Sequence, residues 1–175
     1  MKPVTRRRFM AGGVVAGAAL AAGCASRGRG NWDFLNDGQA HTLAAICDQI
    51  IPADDFPSAS QAGAVTYIDR QLARHYRRHR EAYRAGLEQA ELLSRKLAGV
   101  SLPQAPPKGQ FDVVTALEKE QPAFFALVRS HTFESFYGNP RHGGNRDAVS
   151  WRMLGLDEPP VRGRAQYDFT KGAQS

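Results

Sequence analysis

The sequence has few cysteines and none of the common motifs that bind a redox cofactor. Only Cys24 and Cys47 are present, and neither belongs to a Cys-x-x-Cys-His site for covalent haem. The chain also lacks a Gly-x-Gly-x-x-Gly turn after a strand, a phosphate-binding loop and a Gly-x-Ser-x-Gly nucleophile motif. We therefore expect no cofactor, no metal and no catalytic residue in this chain.

The apolar stretch near the N-terminus is too short to cross a membrane. It runs over residues 9–22, which is 14 residues, whereas a spanning helix needs about 20. Arg6, Arg7 and Arg8 precede it, and Phe9 follows the arginines directly. This pattern predicts a twin-arginine export signal over residues 1–30, with an ordinary secretory leader as the alternative. Either reading predicts a periplasmic protein.

A second feature of this segment concerns membrane attachment. The sequence Ala21-Ala22-Gly23-Cys24 resembles a lipoprotein cleavage site, although Ala21 is smaller than the aliphatic residue usual there. Lipidation of Cys24 therefore stays open. One acyl chain would hold the protein at the inner membrane surface without spanning it.

The net charge of +6 belongs to the leader rather than to the folded part. Residues 1–30 contain six of the 23 basic residues and no acidic residue, so 17 basic and 17 acidic residues remain from residue 31 onward. A domain with no net charge lacks the basic excess typical of nucleic-acid-binding proteins. We expect no nucleic-acid partner.

The spacing of apolar residues after the leader predicts helices throughout. Residues 36–51 carry an i, i+3, i+4, i+7 stripe that starts at a capping pair, Asn36 and Gln39, and stops at Pro52. No period-2 alternation indicates a strand. The further predicted helices cover about 61–97 with a break near 77–80, then 110–119 and 122–137. We predict an all-α, compact bundle of about four to six helices over residues 31–160, with an irregular tail over residues 161–175.

Few clusters of polar residues in the helical part suggest a catalytic or metal-binding site. His75 and His79 are spaced as metal ligands on one helix face, but four arginines surround them, which favours a solvated basic surface. The paired carboxylates Asp54 and Asp55 lie between prolines, where a hydrated turn is the simpler interpretation. Cys47 lies in the apolar stripe, which favours core packing over a disulfide to another chain. A stand-alone periplasmic metal-binding lipoprotein or enzyme is kept as the alternative function.

The stretch FYGNPRHGGNRDAVSWRMLGL, residues 136–156, is rich in glycine, asparagine, proline and arginine. Glycine and asparagine tolerate the left-handed backbone region, and proline fixes its own φ, so we predict a shaped loop. Two roles stay open for it: contact with a partner protein, or bracing against the body of the chain. The aromatic residues of the preceding helix are expected in the core, although some of them would also suit a docking surface.

Two stretches resemble the gluconate 2-dehydrogenase subunit 3 family, the small subunit of membrane-associated, flavin-dependent sugar and sugar-acid dehydrogenases. They are residues 43–72 and 136–156, and the likeness extends from about Leu35 to Leu156. Its most specific parts are Ile51-Pro52-Ala53-Asp54, Tyr67-Ile68-Asp69 and the run 137–147 together with Trp151. His142 stands where family members often carry an aromatic residue.

The resemblance implies a set of partners. A large flavoprotein of the glucose-methanol-choline type carries FAD and oxidises the substrate, and a multihaem cytochrome c subunit, which carries haem c, takes the electrons. The small subunit assists folding of the flavoprotein and its export by the twin-arginine translocase. On this reading the export signal uses Arg6, Arg7 and Phe9, and the loop forms the partner interface. The expected interface residues are Tyr137, Asn139, Pro140, Arg141, Gly143, Gly144, Asn145, Arg146 and Trp151.

Overall fold

The computed structural model describes residues 32–156, in which the chain forms six α-helices and no strand. The helices are α1 (Asp37–Ile50), α2 (Ala64–Ala73), α3 (Arg80–Ala98), α4 (Pro107–Glu120), α5 (Pro122–Tyr137) and α6 (Val149–Met153). Four 3₁₀ turns join them, at Arg77–His79, Leu102–Gln104, Pro140–His142 and Arg146–Ala148. The predicted all-α bundle is confirmed. The predicted export signal with Arg6, Arg7, Phe9 and Cys24, and the predicted tail at 161–175, lie outside the described residues.

The helix ends follow the local signals in the sequence. At the start of α1 the Asn36 side chain accepts a hydrogen bond from the Gln39 N–H at 2.9 Å, and the Gln39 side chain accepts one from the Asn36 N–H at 3.1 Å. Pro122 begins α5, where its missing N–H is not needed. The predicted start of α4 at Gln110 is wrong, because Pro107 takes the first helical position for the same reason.

The break predicted near residues 77–80 separates two helices. Helix α2 ends at Ala73, and a turn followed by the 3₁₀ segment Arg77–His79 leads into α3. The start of α2 lies at Ala64, three residues later than the predicted position near Gln61, because Gly63 adopts a left-handed φ of 93° just before it. Only glycine takes this conformation without strain.

The core lies where α1 contacts α2, α3, α4 and α5. Its fully buried side chains include Leu43, Ile46, Ile68, Leu72, Tyr83, Leu117 and Val128. Burying each large aliphatic side chain contributes about 1.5–3 kcal/mol, so this core accounts for most of the driving force for folding. Cys47 lies in it with no exposed surface and with Sγ 3.3 Å from the Thr132 hydroxyl. Burial raises the pKa of the Cys47 thiol to about 12, which keeps it protonated.

A buried carboxylate fastens the entry segment to the bundle. Asp69 on α2 is 3% exposed and accepts hydrogen bonds from the N–H groups of Asp33, Phe34 and Leu35, at 2.7, 2.9 and 2.8 Å. The Phe34 ring is in turn covered by the guanidinium groups of Arg80 and Arg84, each 5.1 Å from its centroid. Asp69 therefore joins residues 33–35 to a helix more than thirty positions later.

Among the described residues, no helix combines the length and the apolar character needed to cross a bilayer.

Candidate functional site

The C-terminal loop, defined here as residues 138–148 between α5 and α6, is held tightly against the bundle. A Cβ atom on Gly144 would lie 2.3 Å from the Ser135 carbonyl oxygen of α5, so the backbone approaches closer than any other residue allows. A Cβ atom on Gly63 would lie 2.6 Å from the Gly143 carbonyl oxygen. The Arg146 N–H also donates to the Ala62 carbonyl at 2.8 Å. The loop is thus docked on both α5 and the start of α2.

Two asparagines brace the loop internally. Asn145 is completely buried; its Nδ2 donates to the Gly138 carbonyl at 2.8 Å, and its Oδ1 accepts from the Ser150 N–H at 2.9 Å. It adopts a left-handed φ of 45°, which asparagine tolerates better than most residues. The Asn139 side chain accepts from the Arg141 N–H at 3.1 Å and caps the 3₁₀ turn Pro140–His142. The bracing role proposed for these side chains is therefore present.

The end of the stretch is more regular than expected. Residues Val149–Met153 form the short helix α6, whereas the sequence predicted a shaped loop over the whole of residues 136–156. The Ser150 N–H, in the first turn of this helix, donates to the Asn145 side chain. Before the helix, Asp147 and Ala148 also have left-handed φ values, which turn the chain into it. These contacts depend on the docked loop, which sequence spacing does not show.

The opposite side of the loop faces solvent. Tyr137, Arg141, Arg146 and Arg152 are exposed, and Pro140 is half-buried. Trp151 is also half-buried, and its Nε1 donates to the Tyr137 carbonyl at 3.1 Å. The expected interface residues thus divide into two groups: Asn139, Gly143, Gly144 and Asn145 shape the loop, whereas tyrosine and arginine side chains form its outer surface.

Exposed apolar residues also precede and follow the loop along the chain. Leu154 and Leu156 are each 55% exposed, and Tyr137 is 41% exposed. The Tyr137 ring stacks on Phe133 at 6.2 Å, and the Arg129 guanidinium covers the Phe133 ring at 4.9 Å. Aromatic and arginine side chains are the residue types enriched at protein interfaces.

A basic pocket lies between α2 and the C-terminal loop. Its volume is about 420 Å³, and it is lined by Tyr67, Arg70, Gln71, Arg74, His75, Tyr76, Arg141 and His142. The spacing of His75 and His79 suggested a metal site or, preferably, a solvated basic surface, and no sequence motif pointed to Arg70 and Arg74 as a pair. Their i, i+4 spacing was the available signal, but the loop that completes the pocket comes from residues about seventy positions later.

A buried aromatic cluster beside this pocket was also missed. His131 on α5 is 4% exposed, and its ring lies between Tyr76, at 4.1 Å, and Tyr83, at 5.8 Å. Its Nδ1 is 2.9 Å from the Tyr83 hydroxyl. The Tyr76 hydroxyl donates to the Glu134 carboxylate and lies 3.3 Å from the Tyr67 hydroxyl. A single histidine in an aromatic helix gives no sequence signal for such a cluster.

Burial controls the protonation of the cluster. It lowers the pKa of His131 to about 4; the nearby Glu134 carboxylate opposes this change, whereas His79 and Arg78 add to it. Burial also raises the pKa of Tyr83, and burial together with the hydrogen bond to Glu134 raises that of Tyr76. The imidazole is therefore neutral and both tyrosines are protonated at neutral pH.

The low pKa of His131 predicts a loss of stability in mild acid. The unfolded chain protonates this imidazole below about pH 6.5, whereas the folded chain excludes the proton down to about pH 4. The free energy of unfolding is highest above pH 6.5, where the imidazole is neutral in both states, and it falls by on the order of 3 kcal/mol as the pH falls toward 4. Denaturant unfolding at several pH values measures it. In His131→Phe the free energy of unfolding is expected to change much less with pH, whereas the exposed control His41→Phe is expected to behave like the wild type. An equal change with pH in all three proteins would show that His131 is not responsible for it.

The other candidate polar residues do not come together into one site. Asp54 accepts a hydrogen bond from the Phe56 N–H at 2.8 Å and shapes an exposed turn, and Asp55 is exposed beside it. His75 lies in a turn and His79 in a 3₁₀ segment, where its Nε2 accepts from Arg78 at 3.0 Å. Within residues 32–156 no group of three or more histidine, cysteine or carboxylate side chains is arranged to hold a metal ion.

Comparison with known proteins gives one match. A protein-family model described as Gluconate 2-dehydrogenase subunit 3 matches residues 37–157, which is more than half of the chain. No curated protein and no solved structure matches significantly. The matched range includes all six helices, the C-terminal loop and the basic pocket.

Proposed function

The chain belongs to the gluconate 2-dehydrogenase subunit 3 family, and we propose that it is the non-catalytic small subunit of a periplasmic, flavin-dependent sugar or sugar-acid dehydrogenase. A large flavoprotein subunit of the glucose-methanol-choline type carries FAD and oxidises the substrate. A multihaem cytochrome c subunit receives the electrons. The small subunit assists folding of the flavoprotein and directs its export. The complex is held at the inner membrane through its subunits or through a lipid on Cys24.

The family name itself supports the existence of partners, because it describes a subunit of an enzyme. The observation that supports the proposal further is that the C-terminal loop has one buried side, which packs on the bundle, and one exposed side. Buried asparagine and glycine residues hold its backbone rigidly, while Tyr137, Arg141 and Arg146 point outward. A loop whose backbone is already held in place loses little backbone entropy on binding, which favours affinity.

The sequence of the leader supports the export role. A flavoprotein that folds around its cofactor before export needs the twin-arginine route, which carries folded proteins. Arg6 and Arg7 on the small subunit would serve the whole complex if the two chains associate before crossing. The flavoprotein then needs no signal of its own.

Conservative replacement of the arginine pair tests the export role. In cells that express the full chain with its flavoprotein, Arg6→Lys with Arg7→Lys is expected to reduce periplasmic flavoprotein to the level found without the small subunit. FAD content and dehydrogenase activity of the periplasmic fraction are the measurements. The matched control is Arg27→Lys with Arg29→Lys, which changes two arginines of the same segment outside the pair and is expected to leave export unchanged.

Two outcomes would contradict the proposal. Export and activity of the flavoprotein that do not depend on the presence of the small subunit would exclude the accessory role. Oxidation of a sugar by the purified small subunit alone would exclude a non-catalytic role and favour the alternative of a stand-alone enzyme.

A further inference from the structure

The basic pocket between α2 and the C-terminal loop gathers positive charge without visible compensation. Arg70 and Arg74 come from the end of α2, and Arg141 comes from the loop, so the pocket holds three guanidinium groups and two imidazoles. No aspartate or glutamate lines it. The Glu134 carboxylate lies outside this lining and accepts from the hydroxyl of one lining residue, Tyr76.

The pocket arginines form no ion pair with other described residues. The ion pairs within residues 32–156 are Arg84 with Glu81 and Lys108 with Asp112, both on exposed helix surfaces away from the pocket. Clustered like charges create a strongly positive local potential. A bound anion would relieve their mutual repulsion.

The docked loop fixes the geometry of the pocket. A Cβ atom on Gly143 would lie 2.8 Å from Arg70 Nη1, so the Arg70 guanidinium packs directly against the loop backbone. Arg141 Nε donates to His142 Nε2 at 3.1 Å on the other side. The hydroxyls of Tyr67 and Tyr76 line the same space. Because the Tyr76 hydroxyl already donates to Glu134, the free donors are the guanidinium groups of Arg70, Arg74 and Arg141, which line a cavity of about 420 Å³ that is large enough for one acidic side chain.

We propose that this pocket receives a carboxylate side chain from an acidic segment of the flavoprotein subunit, an inference that rests on the function proposed above. Guanidinium groups present paired N–H donors that match a carboxylate, and such charge-assisted hydrogen bonds are the strong ones. Arg141 belongs to both the pocket and the outer surface of the loop. The pocket is thus continuous with the surface assigned to the partner, which favours a protein carboxylate over a free small anion.

Removing two pocket charges tests the proposal in the complex. Arg70→Gln with Arg74→Gln is expected to weaken binding of the full chain to the flavoprotein about tenfold or more, and to reduce the salt dependence of the affinity. The control Lys96→Gln with Lys119→Gln removes the same charge from exposed positions at the ends of α3 and α4. It is expected to bind like the wild type. Both double variants are expected to stay folded and to melt at similar temperatures, because each removes two basic side chains near helix ends and neither breaks an ion pair.

A probe that is independent of the flavoprotein separates this inference from the proposed function. The full chain is expected to bind a hexaglutamate peptide but not a hexaglutamine peptide, and Arg70→Gln with Arg74→Gln is expected to lose peptide binding while the lysine control keeps it. Peptide binding without flavoprotein binding would contradict the proposed function and, with it, the flavoprotein as the source of the carboxylate.

Two results would overturn the pocket assignment while the proposed function stands. One is wild-type flavoprotein affinity in the arginine double variant. The other is displacement of the hexaglutamate peptide by millimolar inorganic phosphate while the flavoprotein remains bound, which would show a site for a free anion.

Discussion

Replacing Asp69 by alanine is expected to lower the free energy of unfolding by about 3–5 kcal/mol, because it removes a carboxylate that accepts three backbone hydrogen bonds. The Leu35 N–H is buried, so bulk solvent does not reach it to replace the lost acceptor. Hydrogen bonds to a charged group contribute more than neutral ones, and an unsatisfied buried donor adds its desolvation cost. Chemical denaturation of the variant and the wild type measures the difference.

Asparagine at this position gives an intermediate test. Oδ1 of Asp69 accepts from two N–H groups and Oδ2 from one, so Asp69→Asn keeps the first pair and turns an amide donor toward the Asp33 N–H. We expect a loss of about 1–3 kcal/mol. The exposed carboxylate Asp55 is the control, and its replacement by alanine is expected to change stability by less than about 0.5 kcal/mol. Equal losses for Asp69→Ala and Asp55→Ala would show that the carboxylate does not anchor residues 33–35.

Gly144→Ala is expected to be the most damaging change in the C-terminal loop. The added Cβ would lie 2.3 Å from the Ser135 carbonyl oxygen and 2.9 Å from its carbon, and backbone atoms of a helix cannot move aside as a side chain can. We expect a loss of about 2–4 kcal/mol in the free energy of unfolding. The loop is expected to separate from α5, so binding to the flavoprotein should fall as well.

Gly99→Ala is the matched control for this change. Gly99 ends α3 with a left-handed φ of 74°, and a Cβ there would contact nothing within 4 Å. Gly99→Ala is therefore expected to lower the free energy of unfolding only by the strain of alanine in the left-handed region, about 1 kcal/mol. Binding to the flavoprotein is expected to stay at the wild-type level. Flavoprotein binding by Gly144→Ala at the wild-type level would remove the loop from the proposed interface.

The same loop braces itself against the body of the chain without excluding the second predicted role, contact with a partner, which stays a prediction. Sequence composition alone gave asparagine, glycine, arginine and aromatic residues in one stretch, without showing which side chains turn inward. In the structure Asn145 is buried and bonded at both ends, whereas Arg141 and Arg146 remain exposed. Bracing and display are done by different residues of one segment.

The amino-acid sequence by itself determined the all-α class, the caps at the starts of α1 and α5, and the family. Apolar periodicity, the Asn36–Gln39 capping pair and Pro122 act over a few residues, and such local signals are readable without the fold. Only the tertiary structure decided what the polar side chains do. Asp69 meets the N–H groups of residues 33–35, Arg70 meets the loop at Gly143, and His131 meets Tyr76 and Tyr83 across more than forty positions. Such contacts depend on how helices pack, which spacing along one chain does not specify.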